Sequence, residues 1–264
     1  MKIDVLQIGG ADGKVKIRTL RPDAPWEWLA AGWRDLWSAP TIGLCYGLVF
    51  SLIGLAIFVG LFTLEMTALV VALAAGFMLL GPMLAVGLYE ASRRLETGEP
   101  VTFASTALVS TRSPVQLAFI GIVLMGALLI WIRVATLLFA LFFGVSGWPP
   151  LEEFVTTLLF TWQGLALLVT GTVVGGAIAF AIFAVAAISV PMLMSREVDA
   201  VTAILTSVQA VLQNFLPMLL WAWLIAILTA FGLATGLLGL IVTFPLIGHA
   251  TWHAYRGLVE PAES

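Results

Sequence analysis

The strongest constraint on this chain is a set of six stretches without a charged side chain, at residues 41–64, 66–89, 115–132, 165–194, 215–235 and 236–255. A helix that crosses the roughly 30 Å hydrocarbon layer of a bilayer needs about 20 apolar residues, so each stretch is a candidate span. The third continues apolar past Arg133 to Phe143. Of the 264 residues, 61% are hydrophobic and 10% charged, and the mean hydropathy is +1.08. A single aqueous core could not hide that much apolar surface, so the expected solvent is lipid. The expectation is an all-α integral membrane protein with six transmembrane helices.

The basic residues orient those helices, because Lys and Arg collect in short cytoplasmic loops. With six spans, Lys2, Lys14, Lys16, Arg18, Arg21, Arg34, Arg93, Arg94, Arg112, Arg196 and Arg256 all fall on one side, and only Arg133 falls on the other. Both termini are therefore expected in the cytoplasm of a bacterial inner membrane. The first forty residues hold no long apolar stretch, so no cleavable signal peptide is expected. A rival division remains open, since residues 154–195 are uncharged and GTVVGG at 171–176 could turn the chain into a seventh span.

Internal similarity organises the spans into three units that point the same way. After an N-terminal arm at 1–22 with alternating runs on either side of GGADG, the first unit covers 23–100, with helices at 41–64 and 66–91. The second covers 101–197, with helices at 115–143 and 163–194. The third covers 198–258, with an interfacial helix at 198–213 and spans at 215–234 and 236–256, before a tail at 259–264. Pro40, Pro114 and Pro217 begin the outgoing helices. GPML at 81–84, VPML at 190–193 and FPLI at 244–247 place Pro82, Pro191 and Pro245 in the returning ones. Parallel repeats of this kind predict three hairpins around an axis along the membrane normal.

Two amphipathic segments are expected on the inner membrane surface. In the first, Trp26, Leu29, Trp33, Leu36 and Trp37 recur at helical spacing, and the tryptophans read as interfacial anchors. In the second, Val198, Val201, Ile204, Leu205, Val208, Val211 and Leu212 form a stripe opposite Thr202, Gln209 and Gln213.

The segments RPDAPWEWLAAGWRDLWSAP, GPMLAVGLYEASRRLETGEP and FPLIGHATWHAYRGLVE resemble the predicted integral membrane family called domain of unknown function 2189, over about residues 21–260. The resemblance implies a prokaryotic inner-membrane protein without an established activity. Some relatives carry the label of a cytochrome c oxidase subunit, which directs attention to the histidines.

His249 and His253 are the only two, four residues apart on one helical face. They are weak candidates for a haem or metal site, which would need further ligands such as Cys45, Met83 or Met192. The expectation is no cofactor, with the pair hydrogen-bonded to backbone, water or headgroups. Arg133, about 27 Å along its helix from Val115 at 1.5 Å per residue, is expected to pair with Glu152 or Glu153 in the loop GWPPLEEF. Pro82, Pro191 and Pro245 kink their helices and free the carbonyls near Met78, Ala187 and Ile241, which either line a cytoplasm-facing vestibule for a lipid or small solute or merely fit the hairpins together. Small-residue pairs at Gly43/Gly47, Gly171/Gly175 and Gly232/Gly236 permit close helix contact.

No phosphate loop, HExxH or GxSxG motif is present, and no proposed span carries a central carboxylate. The net charge of -3 gives no basic field for nucleic acid. The expected function is therefore non-catalytic, first as an assembly or interaction partner of a membrane complex, or by self-association. The alternatives are a conduit or carrier for a lipid or small solute, and a cofactor-holding respiratory accessory built on His249 and His253.

Overall fold

The computed structural model describes residues 9–10, 13–64, 69–144 and 151–260. Among these, eleven helices and one minimal pair of strands form. Strand β1 (Gly9–Gly10) pairs antiparallel with β2 (Gly13–Lys14). The first alternating run of the N-terminal arm lies outside the described residues. Downstream, Ile17 forms an isolated bridge with Val259, and the Arg18 amide donates to the Leu258 carbonyl at 2.8 Å. The two ends of the described chain are thus held side by side.

Helix α1 (Ala24–Ser38) starts on Pro25, whose fixed φ suits the first turn. It leads through Ala39 into α2 (Pro40–Thr63), which begins with Pro40 in the same way. Four helices are long and apolar enough to cross a membrane: α2, α6 (Pro114–Phe143), α8 (Trp162–Ser195) and α10 (Phe215–Ala234). Leu52, Phe62, Ile122, Leu137, Val173 and Phe231 on these helices are exposed. Apolar surface of that extent is compatible with a lipid environment and not with water.

The second expected span is not one continuous helix. It is divided into α3 (Leu69–Leu84) and α4 (Val86–Thr97), with Ala85 between them. Pro82 supplies the reason: its ring removes an amide donor and crowds the carbonyl one turn back, at Met78. Helix α4 ends on Gly98, whose φ of +72° closes it in the left-handed conformation. The last expected span becomes α11 (Leu240–Leu258), after a turn in which Gly236 and Leu237 both take positive φ.

Three further helices complete the chain: α5 (Phe103–Ala107), α7 (Leu151–Phe160) and α9 (Ala200–Gln213). Helix α7 occupies part of the segment expected as the loop GWPPLEEF, so Glu152 and Glu153 belong to a helix. The rival turn at GTVVGG does not form, because α8 runs unbroken through residues 171–176. The Thr161 hydroxyl caps its start by accepting from the Gly164 amide at 3.0 Å.

The amphipathic stripe expected on α1 splits. Trp26, Trp33 and Trp37 are exposed, whereas Leu36 is fully buried and Leu29 packs partly into the core. Trp28, outside that stripe, turns inward and meets Trp221 edge-on, with centroids 5.8 Å apart. On α9 the face against the protein is mostly small or polar, with Thr202, Ala203, Thr206, Ser207 and Ala210 buried beside Val211, while Val201, Leu205 and Leu212 face outward. An aqueous protein would put those large side chains inside; a lipid-facing helix need not.

The buried core gathers at the end of the bundle where the termini meet. It includes Leu88 and Tyr89 of α4, Ala186 to Met194 of α8, Trp221 of α10, and Trp252 and Leu258 of α11. Glycine allows the tightest approaches. A Cβ at Gly32 would lie 2.6 Å from the Ala250 amide nitrogen, and one at Gly47 would lie 2.3 Å from the Ile241 carbonyl oxygen. Those contacts seat α1 and α2 against α11.

Candidate functional site

The helices enclose a cavity of about 320 Å³ between α3, α4, α8, α10 and α11. Its wall is almost wholly apolar, with Phe77 and Met78 from α3, Phe180 and Ala187 from α8, and Ala222 and Phe244 from α10 and α11. That size is at the lower end of small-molecule pockets, which hold about 300–1,000 Å³. From Gly176 to Ala187 the α8 wall runs about 17 Å at 1.5 Å per residue. Leu219 and Trp223 line it and are also exposed, at 44% and 59%, so the cavity opens sideways onto the apolar surface.

Pro82 lines the cavity directly, and two of the residues whose carbonyls the helix prolines release, Met78 and Ala187, lie on its wall. The third, Ile241, packs instead against Gly47. Near Pro191 a further interruption was not visible in the sequence. The Ser207 hydroxyl of α9 donates to the Ala184 carbonyl at 2.7 Å and accepts from the Ile188 amide at 3.1 Å, so it bridges a pair one turn apart on α8. Side chains that enter a helical ladder in this way bend it. Together with Pro191, Ser207 shapes the α8 wall around Ala186 and Ala187.

Polar side chains meet beside the inner end of this cavity. His249 is buried at 1% exposure, and its Nδ1 lies 2.8 Å from the Ser92 hydroxyl. His253 donates from Nε2 to Asp35 at 2.7 Å, because an ionised carboxylate can only accept. Burial raises the Asp35 carboxyl, but hydrogen bonds from His253 and then Ser92 outweigh it and leave the group below its ordinary 3.8. The Ser92 hydroxyl and His249 Nδ1 share one hydrogen bond, and His249 Nε2 has no partner among the described residues. Asp35, Ser92 and the two histidines thus tie α1, α4 and α11 together.

The same end carries a charge network. Glu90, only 5% exposed, accepts from Arg93 Nε at 2.8 Å and Arg94 Nε at 2.6 Å. Such double pairing is what a buried carboxylate needs. Hydrogen bonds from Arg93 and Thr97 hold the exposed Glu99 carboxyl down to about 2. Glu96 of α4 accepts from the Trp252 indole at 3.1 Å and from Arg256 at 2.8 Å, both on α11. Arg196 donates to the Tyr255 hydroxyl and to the Glu260 carbonyl.

The histidine pair does not converge on one point, since Nδ1 of one and Nε2 of the other are engaged by different helices. Among the described residues no three His, Cys, Asp or Glu side chains gather as a metal-holding group. The approach of Ser92 to His249 has the ingredients of an activated nucleophile, but Ser92 has no exposure and does not line this cavity. Arg133 and Glu153 are exposed and form no ion pair with each other among the described residues, and the Glu152 side chain lies outside them. Of the glycine pairs, Gly43 and Gly47 both sit at close contacts. Gly175 meets Trp131 while Gly171 meets nothing within 4 Å, and Gly232 packs on Leu240 while Gly236 makes the turn. Trp26, Trp33 and Trp37 lie on α1, away from the cavity wall.

Long apolar helices with lipid-compatible surfaces define a multi-pass integral membrane protein. Residues 69–195 match the family model described as Predicted integral membrane protein (DUF2189), the family that the sequence segments resemble. The match covers α3 to α8, including the GPML segment and the proline-bearing half of α8. No curated protein and no solved structure matches the chain.

Proposed function

We propose that the chain is a carrier that holds a lipid or small apolar molecule in the cavity between α3, α8, α10 and α11, and that it performs no covalent chemistry. The cavity is the single observation that carries this reading. Its wall is apolar and it opens sideways toward the region the bilayer occupies, so a ligand reaches it without passing through water. Fully buried Ser92 supports the non-catalytic part, because the hydroxyl beside His249 has no exposed surface and does not line the cavity. An assembly role, the first expectation from sequence, rested on missing chemistry; the cavity gives the carrier reading a positive feature and therefore precedence.

The proposal includes the setting. Six crossings are read, with α3–α4 and α11 added to the four long helices, in a bacterial inner membrane with both termini cytoplasmic. Three similarly oriented hairpins, α2 with α3–α4, α6 with α8 and α10 with α11, make up the bundle. The pairing of Ile17 with Val259 supports termini on one side, and the eleven basic residues assign that side to the cytoplasm.

Native mass spectrometry of gently purified protein tests the carrier reading. The wild type should retain one bound apolar species, and Ala222→Phe, which fills the cavity, should release it while the melting temperature stays close to that of the wild type. Equal retention by both proteins would refute it.

A further inference from the structure

Two faces of small residues bound the cavity without closing on each other. Gly176, Ala179 and Ala186 line it from α8, and Ala222 and Ala226 line it from α10. Stripes of that kind normally let helices pack tightly. Here they leave a gap: a Cβ added at Gly176, or at Gly81 on the α3 wall, would meet nothing within 4 Å. The rings of Phe180 on α8 and Phe215 on α10 meet edge-on at 5.9 Å, so an aromatic contact bridges the two helices where the small side chains do not. Spread along the α8 wall of about 17 Å, the volume of about 320 Å³ gives a mean section of about 19 Å². One hydrocarbon chain fits such a slot, since carbon atoms in contact lie about 4 Å apart. Two chains side by side do not.

The wall offers nothing that would hold a polar head group. No Lys, Arg, His, Asp or Glu lines it, so a phosphate or carboxylate inside would lack a counter-charge in a low dielectric. The unpaired Trp221 indole nitrogen has no accessible surface for a ligand atom to reach. The hydroxyls of Tyr89 and Thr229 make no hydrogen bond among the described residues, but they do not converge. Tyr89 adjoins the charge network, whereas Thr229 lies about 12 Å beyond Trp221 along α10, toward the far end. The Thr251 hydroxyl is already given to the Ile247 carbonyl at 2.8 Å. An apolar cavity of this kind stays dry, and an empty one forfeits the contacts of its lining. Hydrocarbon from the adjoining bilayer is the matter at hand to fill it.

We propose that the cavity takes one hydrocarbon chain of a bilayer lipid while the head group stays outside, so that the site selects for the chain and is indifferent to the head. This rests on the carrier reading and names the part of the lipid that is recognised. Leu219 and Trp223, which line the cavity and are exposed, mark where the chain leaves the wall for the membrane.

The test places full-length protein in phosphatidylcholine vesicles with one of three photoactivatable lipids of equal chain length: phosphatidylcholine with a diazirine within one chain, phosphatidylglycerol with that same chain, and phosphatidylcholine with the diazirine on its head group. The readout is covalent adduct at Ala186 and Ala187, located by peptide mass spectrometry. Both residues line the cavity and are otherwise buried, so lipid on the outer surface does not reach them. The two chain-labelled lipids should mark them to the same extent, and the head-labelled lipid should not mark them. Ala222→Phe should lose the mark. Gly171→Leu, at a position that meets nothing within 4 Å and does not line the cavity, should keep it. The comparison of probes in the wild type needs no variant and stays decisive if Ala222→Phe fails to fold. Marking by the head-labelled lipid, or by only one of the two chain-labelled lipids, would overturn recognition by the chain alone while leaving the carrier reading intact. Absence of any mark in the wild type, or an equal mark in Ala222→Phe, would overturn the carrier reading itself.

Discussion

Asp35 of α1 accepts from His253 of α11 at 2.7 Å, and Ser92 of α4 meets His249 on that same helix at 2.8 Å. Charge-assisted hydrogen bonds of this kind contribute about 1.5–3 kcal/mol. Asp35→Asn is therefore expected to lower stability by about that amount at neutral pH, measured by thermal unfolding in detergent. The pH dependence follows from the direction of the shift. The folded carboxyl titrates below its ordinary 3.8, so its contribution is complete above that value and is lost as pH falls through the lower, folded one. Wild type and Asp35→Asn should converge in stability below pH 3.8, and an undiminished difference at acid pH would disprove this role. At this scale the sequence revealed half of the arrangement. The spacing of His249 and His253 put them on α11, but their partners are 157 and 218 residues away. Nothing local marks Ser92 or Asp35 as those partners.

Helix boundaries were easier to read because absence of charge is a local property. Residues 41–64 became Pro40–Thr63, and residues 163–194 became Trp162–Ser195. The division of α3 from α4 was signalled by Pro82, but the insertion of Ser207 into α8 was not, since it depends on α9 folding back across that helix. Ser207→Ala should expose the loss of two buried hydrogen bonds, lowering the melting temperature through a cost of about 1–3 kcal/mol; an unchanged melting temperature would show that the α8 ladder closes without it. Glycine spacing alone also fails to say which pairs touch. Gly47→Ala drives a Cβ to 2.3 Å from a backbone oxygen on α11 and should destabilise markedly, whereas Gly171→Ala meets nothing within 4 Å. The second change should be neutral or stabilising by up to about 1 kcal/mol, from helix propensity. Equal melting temperatures for the two variants would contradict the close packing of α2 on α11.

Over the whole molecule, the polar and apolar parts separate along the bundle. Ion pairs, the histidine network, the paired termini and most of the buried core occupy one end, and exposed carbon surrounds the long helices. A bilayer explains both halves: the helices need no aqueous core where lipid covers them, and they pack tightly where they reach water. The cavity lies between these regions. Its existence was anticipated only as one outcome of proline kinks, because a void depends on how five helices pack and no single segment encodes it. The proposed even number of crossings requires both ends of the chain on one side of the membrane. Cys45 is the only cysteine, so a Cys45→Ser background accepts single reporter thiols at Ser146→Cys, Asp12→Cys and Ser264→Cys. In intact cells a membrane-impermeant maleimide should label the first and spare the other two until the membrane is opened; labelling of either terminal position from outside would contradict the account.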